Sequence, residues 1–152
     1  MTRFLFITLL SFAGLSVVRA EDLAIIVAPG VAIDNLSLSE LRAVFLMEKT
    51  TVNDVKLTVL MREKGAPERA EALKDIFQMT DGKYEGYFLQ AVFTGKISSA
   101  PRMIASAAAV KKIVGGTAGM IGYLAASAVD ASVKAVKIDG HAPGDADYPL
   151  KF

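Results

Sequence analysis

A continuous run of branched and small apolar residues, Leu23 to Ala28, ends abruptly at Pro29 and Gly30. A strand with one face in water alternates apolar and polar residues, and this run contains no polar residue. The proline and glycine that follow it are turn-forming residues. The pattern therefore predicts a strand that is buried on both faces, as in the middle of an α/β layer.

Helix and strand patterns alternate along the rest of the chain. Ser37 precedes Glu40 by three residues, which is a capping box at the start of a helix, and Pro67 suits the first position of the next helix. The other predicted elements are a loop over 48–54, strands over 56–61, 120–124 and 133–138, and helices over 83–93 and 105–114. We expect an α/β fold with a central, mainly parallel or mixed sheet flanked by helices, and the sequence contains no internal repeat.

The predicted helix over 83–93 carries Tyr84, Tyr87, Phe88 and Val92 at helical spacing. Such spacing is typical of a face that packs on the core. A face that stacks on a ligand is the alternative.

The first twenty residues have the pattern of a cleavable signal peptide. Arg3 precedes an apolar run from Phe4 to Val18, and Val18-Arg19-Ala20 places small or branched residues where signal peptidase reads them. As a helix, that run spans only about 22 Å, which is short of the ~30 Å hydrocarbon core that a membrane anchor crosses. We expect cleavage after Ala20, which leaves one domain over residues 21–152.

The chain has no cysteine, so it has neither disulfides nor the thiol that would carry a lipid anchor. We therefore expect the exported product to be soluble and not a lipoprotein. A soluble exported protein is retained only where a second membrane encloses it, which predicts the periplasm.

The charge balance argues against nucleic acid as a partner. The whole chain has 17 basic and 16 acidic residues. Without the predicted signal, which holds Arg3 and Arg19 and no acid, 15 basic residues stand against 16 acidic ones, a net charge of −1. Nonspecific binding to a duplex needs a concentrated basic face, and this composition offers none.

Several short segments occur in an order that resembles a known family. The segments are Val44-Phe45-Leu46, Val59-Leu60-Met61-Arg62, Arg69, Phe93-Thr94-Gly95, Pro101-Arg102, Ile121-Gly122-Tyr123, Gly140 and Tyr148-Pro149-Leu150. Over residues 22–152 this order resembles the periplasmic phosphate-binding proteins, the substrate-binding proteins of phosphate ABC transporters, which belong to the type 2 periplasmic binding proteins. The resemblance implies a single lobe of that fold, without the N-terminal lobe, and a solute-binding role.

The sequence departs from the family pattern at the ligand. Met47 replaces a glycine, and Val52 stands where the family has a tryptophan. The hydroxyl-rich turn that grips phosphate has become Glu63-Lys64-Gly65-Ala66-Pro67-Glu68, which contains no hydroxyl.

The candidate anion site is therefore Arg62, Lys64, Gly65 and Arg69. An oxyanion could rest on the free amides at the following helix N-terminus while Arg62 and Lys64 supply positive charge. The Glu68 carboxylate would compete for the same positive helix end. The alternative is an ordinary helix start with a surface arginine and lysine.

Catalytic and metal-binding interpretations have less support. The chain has one histidine, no cysteine and no nucleophile elbow, so we expect no enzyme and no cofactor. Asp139, His141, Asp145 and Asp147 have side chains that suit a metal, but Pro143 and Gly144 among them favour a solvated turn.

Two functions remain open at this point. The first is an exported solute-binding module that binds a small oxyanion such as phosphate, weakly or together with a partner. That partner would be a membrane transporter, an outer-membrane channel or a second copy that supplies the missing lobe. The second is an accessory protein that keeps the fold without the ligand, in which case its surface should carry an apolar docking patch.

Overall fold

The computed structural model describes residues 21–152, so the predicted signal peptide lies outside the described residues. The strands are β1 (Leu23–Val27), β2 (Asn35–Leu36), β3 (Thr51–Val52), β4 (Val55–Lys56), β5 (Thr58–Arg62), β6 (Arg102–Ile104), β7 (Met120–Ala125) and β8 (Lys134–Ile138). The α-helices are α1 (Leu38–Phe45), α2 (Pro67–Ala72), α3 (Asp81–Phe93) and α4 (Ala107–Gly116), with a π-helical turn over Leu73–Phe77 and a 3-10 turn over Ala126–Ala128.

Six strands form one mixed sheet in the order β2-β8-β1-β7-β5-β6. β1 pairs antiparallel with β7 and β8, while the pairs β2/β8, β5/β7 and β5/β6 are parallel. Only β1 therefore runs against the other five strands of this sheet. The predicted α/β fold with a mixed central sheet is confirmed.

β1 is buried on both faces, as its apolar run predicts. Leu23, Ile25 and Val27 point into the larger core with α1, α2 and α3, whereas Ala24 and Ile26 point into a smaller core with α4. All five residues of the strand are fully buried. The central strand thus separates two hydrophobic cores.

Local sequence signals set several helix ends. The Ser37 hydroxyl accepts from the Glu40 N–H at 3.1 Å, and the Glu40 carboxylate accepts from the Ser37 N–H at 3.3 Å, so the capping box is present. A hydrogen bond from Lys49, together with the bond from Ser37, lowers the pKa of Glu40. α2 begins at Pro67, and its N-cap, Ala66, provides no side-chain cap.

The structure differs from the sequence-based elements in several places. The expected loop over 48–54 contains half of a β3/β4 hairpin, whose turn residues Asn53 and Asp54 take positive φ of 47° and 63°. The two edge strands, β2 and β6, were not predicted. The fourth helix begins two residues late, because Ser106 caps it. Val92 on α3 was expected in the core, but it is 38% exposed and lies outside it.

The two ends of the domain lie together. The Tyr148 hydroxyl donates to the Leu23 carbonyl at 2.8 Å, and the Leu23 N–H donates to the Leu150 carbonyl at 2.9 Å. The C-terminal segment therefore fixes the start of the central strand. Within residues 21–152, the helices are all too short or too polar to cross a bilayer.

Candidate functional site

The candidate anion site lies at the edge of the sheet where β5, β6 and β7 end. These three strands are parallel, so their carboxyl ends meet at one edge, and α2 and α4 start from it. Ligands of open α/β sheets commonly bind outside the carboxyl ends of the strands. The segment from Arg62 to Arg69, which joins β5 to α2, is called the 62–69 turn below.

Arg62 is the last residue of β5, and its side chain is buried. Its N–H donates to the Tyr123 phenol oxygen at 3.0 Å, and its Nη1 donates to the Ile104 carbonyl at 3.1 Å. Its Nε lacks a hydrogen-bond partner among residues 21–152 and stands 3.6 Å from Oε2 of Glu68. That carboxylate is also mostly buried, with 12% of its side chain exposed. Glu68 therefore lies beside a buried guanidinium nitrogen that lacks a bonded acceptor within the described residues.

Arg69 is more deeply buried and fully engaged. Its side chain is 1% exposed. Its Nε and Nη2 both donate to Oδ1 of Asp81, at 3.0 and 2.7 Å, and its Nη1 donates to the Arg62 carbonyl at 3.1 Å. The guanidinium also lies over the Tyr84 ring, 4.8 Å from its centroid. Arg69 thus ties the 62–69 turn to the start of α3.

The two other predicted site residues have different positions. Lys64 is exposed and pairs with Glu85 of α3. Gly65 is exposed with φ of +85°, a conformation that glycine adopts at little cost. The structure therefore brings Arg62 and Arg69 together and directs Lys64 to the surface.

The charges around the 62–69 turn are already balanced. Arg62, Lys64 and Arg69 each face a carboxylate, from Glu68, Glu85 and Asp81 respectively. Glu63 adds a fourth acid within the turn. An incoming anion therefore meets no surplus of positive charge here unless a carboxylate moves away.

Tyr84 forms the floor beneath Arg69. Its ring contacts Phe77 edge-on and Phe88, and burial raises the pKa of its phenol to about 12. Its hydroxyl has no hydrogen-bond partner within the described part of the chain. Tyr84 and Phe88 are thus core residues, as helical spacing predicts.

The sequence did not indicate that Asp81, Tyr84 and Tyr123 contact this site. Asp81 and Tyr84 come from α3, more than ten residues after Arg69, and only the packing of that helix brings them close. Tyr123 belongs to the Ile121-Gly122-Tyr123 segment, which is the one sequence feature that could have indicated its contact.

The residues considered for a metal site are engaged in turns. Asp139 Oδ1 accepts from the Leu38 N–H at 3.1 Å, and Asp145 Oδ2 accepts from the Ala142 N–H at 2.7 Å. His141 forms a backbone bridge to Ile138. In the described range 21–152, no group of three metal-ligating side chains is close enough to hold an ion.

A second surface stands out on α3. Leu89, Val92, Phe93 and Met103 are the large apolar side chains exposed in the described residues, and they all lie on α3 or on the adjacent edge strand β6. This surface is called the α3 face below.

Comparisons with known proteins agree with the fold. No family model matches the sequence. A phosphate transport receptor of the ABC type from Vibrio cholerae superposes on 86% of this chain with a TM-score of 0.69 and 19% identity. PstS from Borrelia burgdorferi superposes on 86% with a TM-score of 0.67 and 15% identity. The chain has the fold of one lobe of a phosphate-binding protein.

The extent of the match is consistent with a single lobe. A Clostridium perfringens protein that is assigned to phosphate ABC transporters and was solved with bound phosphate superposes on 79% of this chain, with a TM-score of 0.64 and 22% identity. The chain spans about half the length of these proteins, namely 46%, 53% and 54% of them. The single-lobe resemblance seen in the sequence is confirmed at the level of fold.

Proposed function

We propose that this chain is an exported, non-catalytic solute-binding module that takes a small oxyanion such as phosphate at the 62–69 turn, weakly, in exchange for the Glu68 carboxylate. The observation that carries this proposal is the buried Arg62 guanidinium with Glu68 Oε2 at 3.6 Å from its Nε. A carboxylate is itself an oxyanion with two acceptor oxygens. Glu68 thus occupies the place that an external oxyanion would take.

The ligand class comes from the structural neighbours. One of them was solved with bound phosphate, and another is a phosphate transport receptor. The lobe supports the same class of ligand by its own chemistry, because two buried arginines meet at the carboxyl edge of the sheet. Guanidinium groups suit phosphate and related oxyanions.

The expected affinity is low for two reasons. Every cation of the site is already paired with a carboxylate of the same chain, and the turn lacks hydroxyl donors. One lobe also supplies only one wall, whereas two-lobed proteins enclose a ligand from both sides. We expect a dissociation constant on the order of 1 mM for phosphate, which is about 4 kcal/mol of binding free energy.

Titration calorimetry with phosphate and sulfate, against chloride at equal ionic strength, tests the proposal. Glu68→Gln removes the competing charge and should tighten phosphate binding roughly tenfold, or about 1.4 kcal/mol. Glu71→Gln is the matched control on the same helix, because Glu71 pairs with Lys74. The double variant Arg62→Met with Glu68→Gln should not show this tighter phosphate binding. Absence of binding in both the natural chain and Glu68→Gln would contradict the proposal.

The periplasm is the proposed compartment, with residues 1–20 as a cleaved signal and 21–152 as the mature domain. N-terminal sequencing of the protein from a periplasmic extract should begin at Glu21. Recovery of the intact chain from the cytoplasm would argue against this assignment. A membrane transporter or an outer-membrane channel is the proposed partner class for delivery of the anion.

An accessory protein that keeps the fold without the ligand is the second candidate function. The α3 face favours it, because contiguous exposed apolar patches commonly mark interaction sites. The two candidates differ in the calorimetric test: an accessory protein gives no heat with phosphate even as Glu68→Gln.

A further inference from the structure

The α3 face concentrates exposed apolar area on one side of the molecule. Phe93 is 90% exposed and Leu89 is 73% exposed, and Met103 and Val92 are exposed by 40% and 38%. Side chains of this size and exposure present on the order of 400 Å² of apolar surface, which is comparable to the largest patch on a typical monomer. α3 therefore has two apolar sides, one in the core through Tyr84 and Phe88 and one in solvent.

The same face carries both a protrusion and a groove. The groove has a volume of about 430 Å³ and is lined by residues that include Tyr84, Gly86, Leu89, Ala100 and Met103. Phe93 projects from the same helix, one turn beyond Leu89. A surface that has both features can pack against a copy of itself through a two-fold axis, because each protrusion then meets the other copy's groove.

Gly86 gives an independent indication of close approach. It lies in the interior of α3 and is exposed, and a Cβ placed on it would meet no atom of the protein within 4 Å. A glycine inside a helix weakens that helix relative to alanine, and nothing within the lobe requires it here. A backbone that packs directly against the helix at this point would require it.

We infer that the α3 face binds a second copy of this chain in an antiparallel, two-fold arrangement centred near Leu89. The exposed apolar side chains of two copies together bury roughly 800 Å², and the groove lining extends this toward the ~1,200 Å² at which specific interfaces begin. An interface at this small end of the range is typical of transient association, and we expect a reversible dimer with a dissociation constant on the order of 10 μM. The inference is independent of anion binding at the 62–69 turn.

Sedimentation equilibrium on the protein expressed from residue 1 and processed by the cell tests the inference. We expect a mass that rises from one protomer to two with concentration. Phe93→Asp should weaken the dimer at least about 100-fold, because it would bury an unpaired charge. A single protomer mass at concentrations well above ~100 μM would overturn the inference.

The absence of native cysteine provides a second measurement. Leu89→Cys, close to the two-fold axis, should form a disulfide-linked dimer under mild oxidation. Lys112→Cys, exposed on α4 on the other side of the sheet, is the control and should stay monomeric. Equal cross-linking at the two positions would overturn the inference.

Gly86→Ala separates association from folding. It should raise the melting temperature of the dilute monomer by about 3 °C and weaken dimerisation about tenfold. Gly116→Ala, also helical, exposed and without a neighbour within 4 Å of its Cβ position, should leave dimerisation unchanged. If Gly86→Ala dimerises as well as the natural chain, close helix approach at Gly86 is refuted.

Discussion

The backbone N–H of Arg62 donates a hydrogen bond to the phenol oxygen of Tyr123, at 3.0 Å and across 61 positions of sequence. Tyr123 is buried on β7, and burial raises the pKa of its phenol. The bond joins the end of β5 to the middle of β7. The Ile121-Gly122-Tyr123 segment therefore also positions the first cation of the candidate site.

Tyr123→Phe removes this acceptor and leaves the Arg62 N–H buried without a partner. We expect a loss of about 1–3 kcal/mol in the free energy of unfolding, measured by urea denaturation. Tyr87→Phe is the control, because the Tyr87 hydroxyl is only partly buried and its bonds to Leu46 and Glu48 are 3.2 Å long. Equal effects of the two substitutions would argue against a special role for Tyr123.

Arg69→Lys should be strongly destabilising despite the retained charge. A lysine ammonium cannot reproduce the planar set of bonds to Asp81 and the Arg62 carbonyl. We expect a loss of about 3 kcal/mol or more, as for a broken buried ion pair. Asp81→Asn should lower the free energy of unfolding by less, because Asp81 is 45% exposed. The side-chain amide oxygen of the variant can also still accept hydrogen bonds from Arg69. The order of the two losses in chemical denaturation checks this prediction.

Two adjacent glycines at the end of α4 should respond in opposite ways to alanine. A Cβ on Gly115 would clash with the Ser132 backbone carbonyl, whereas a Cβ on Gly116 meets nothing within 4 Å. Gly115→Ala should therefore lower the free energy of unfolding by about 1–3 kcal/mol. Gly116→Ala should be neutral or stabilising by up to about 1 kcal/mol. Similar melting temperatures for the two variants would contradict the packing of α4 against the 130–133 turn.

The buried tyrosines should make the protein unfold at alkaline pH. Burial raises the phenol pKa of Tyr84 to about 12 and also raises the pKa of Tyr123 and Tyr148. The phenols of the unfolded chain ionise near pH ~10. Above that pH, ionisation therefore stabilises the unfolded state relative to the folded state, whose phenols are still protonated. The free energy of unfolding should fall from about pH 10 upward, since ionisation in the folded state is delayed to about pH 12. Ultraviolet absorbance of tyrosinate, compared with circular dichroism, should show ionisation and unfolding together. Ionisation of all tyrosines in a folded protein near pH ~10 would refute this.

The sequence predicts the elements whose signals are local. The apolar run of β1, the Ser37/Glu40 box and Pro67 each act through neighbouring residues, and the structure has all three. β2 and β6 have two and three residues, and their pairing partners β8 and β5 are distant in sequence, so no local pattern marks them. The hairpin over 51–56 was equally hidden, because its polar turn resembles a loop.

For the candidate site, sequence similarity placed Arg62 and Arg69 together, which the structure also does. It could not show that Asp81 and Glu85 neutralise two of the cations, because that depends on how α3 packs beside the 62–69 turn. The competition from Glu68 was expected from its place at the helix start. Its burial next to Arg62 was not, because burial is a property of the assembled lobe.

The position of β1 has a consequence for how the protein is made. This strand is the first in the sequence, and both of its neighbours in the sheet, β7 and β8, come about a hundred residues later. The last residues also bond to its start, through Leu150 and Tyr148. A growing or translocating chain cannot close its sheet until nearly all of it has emerged. We therefore expect this protein to stay unfolded, and so able to thread through a narrow channel, until the segment that reaches Leu150 has emerged.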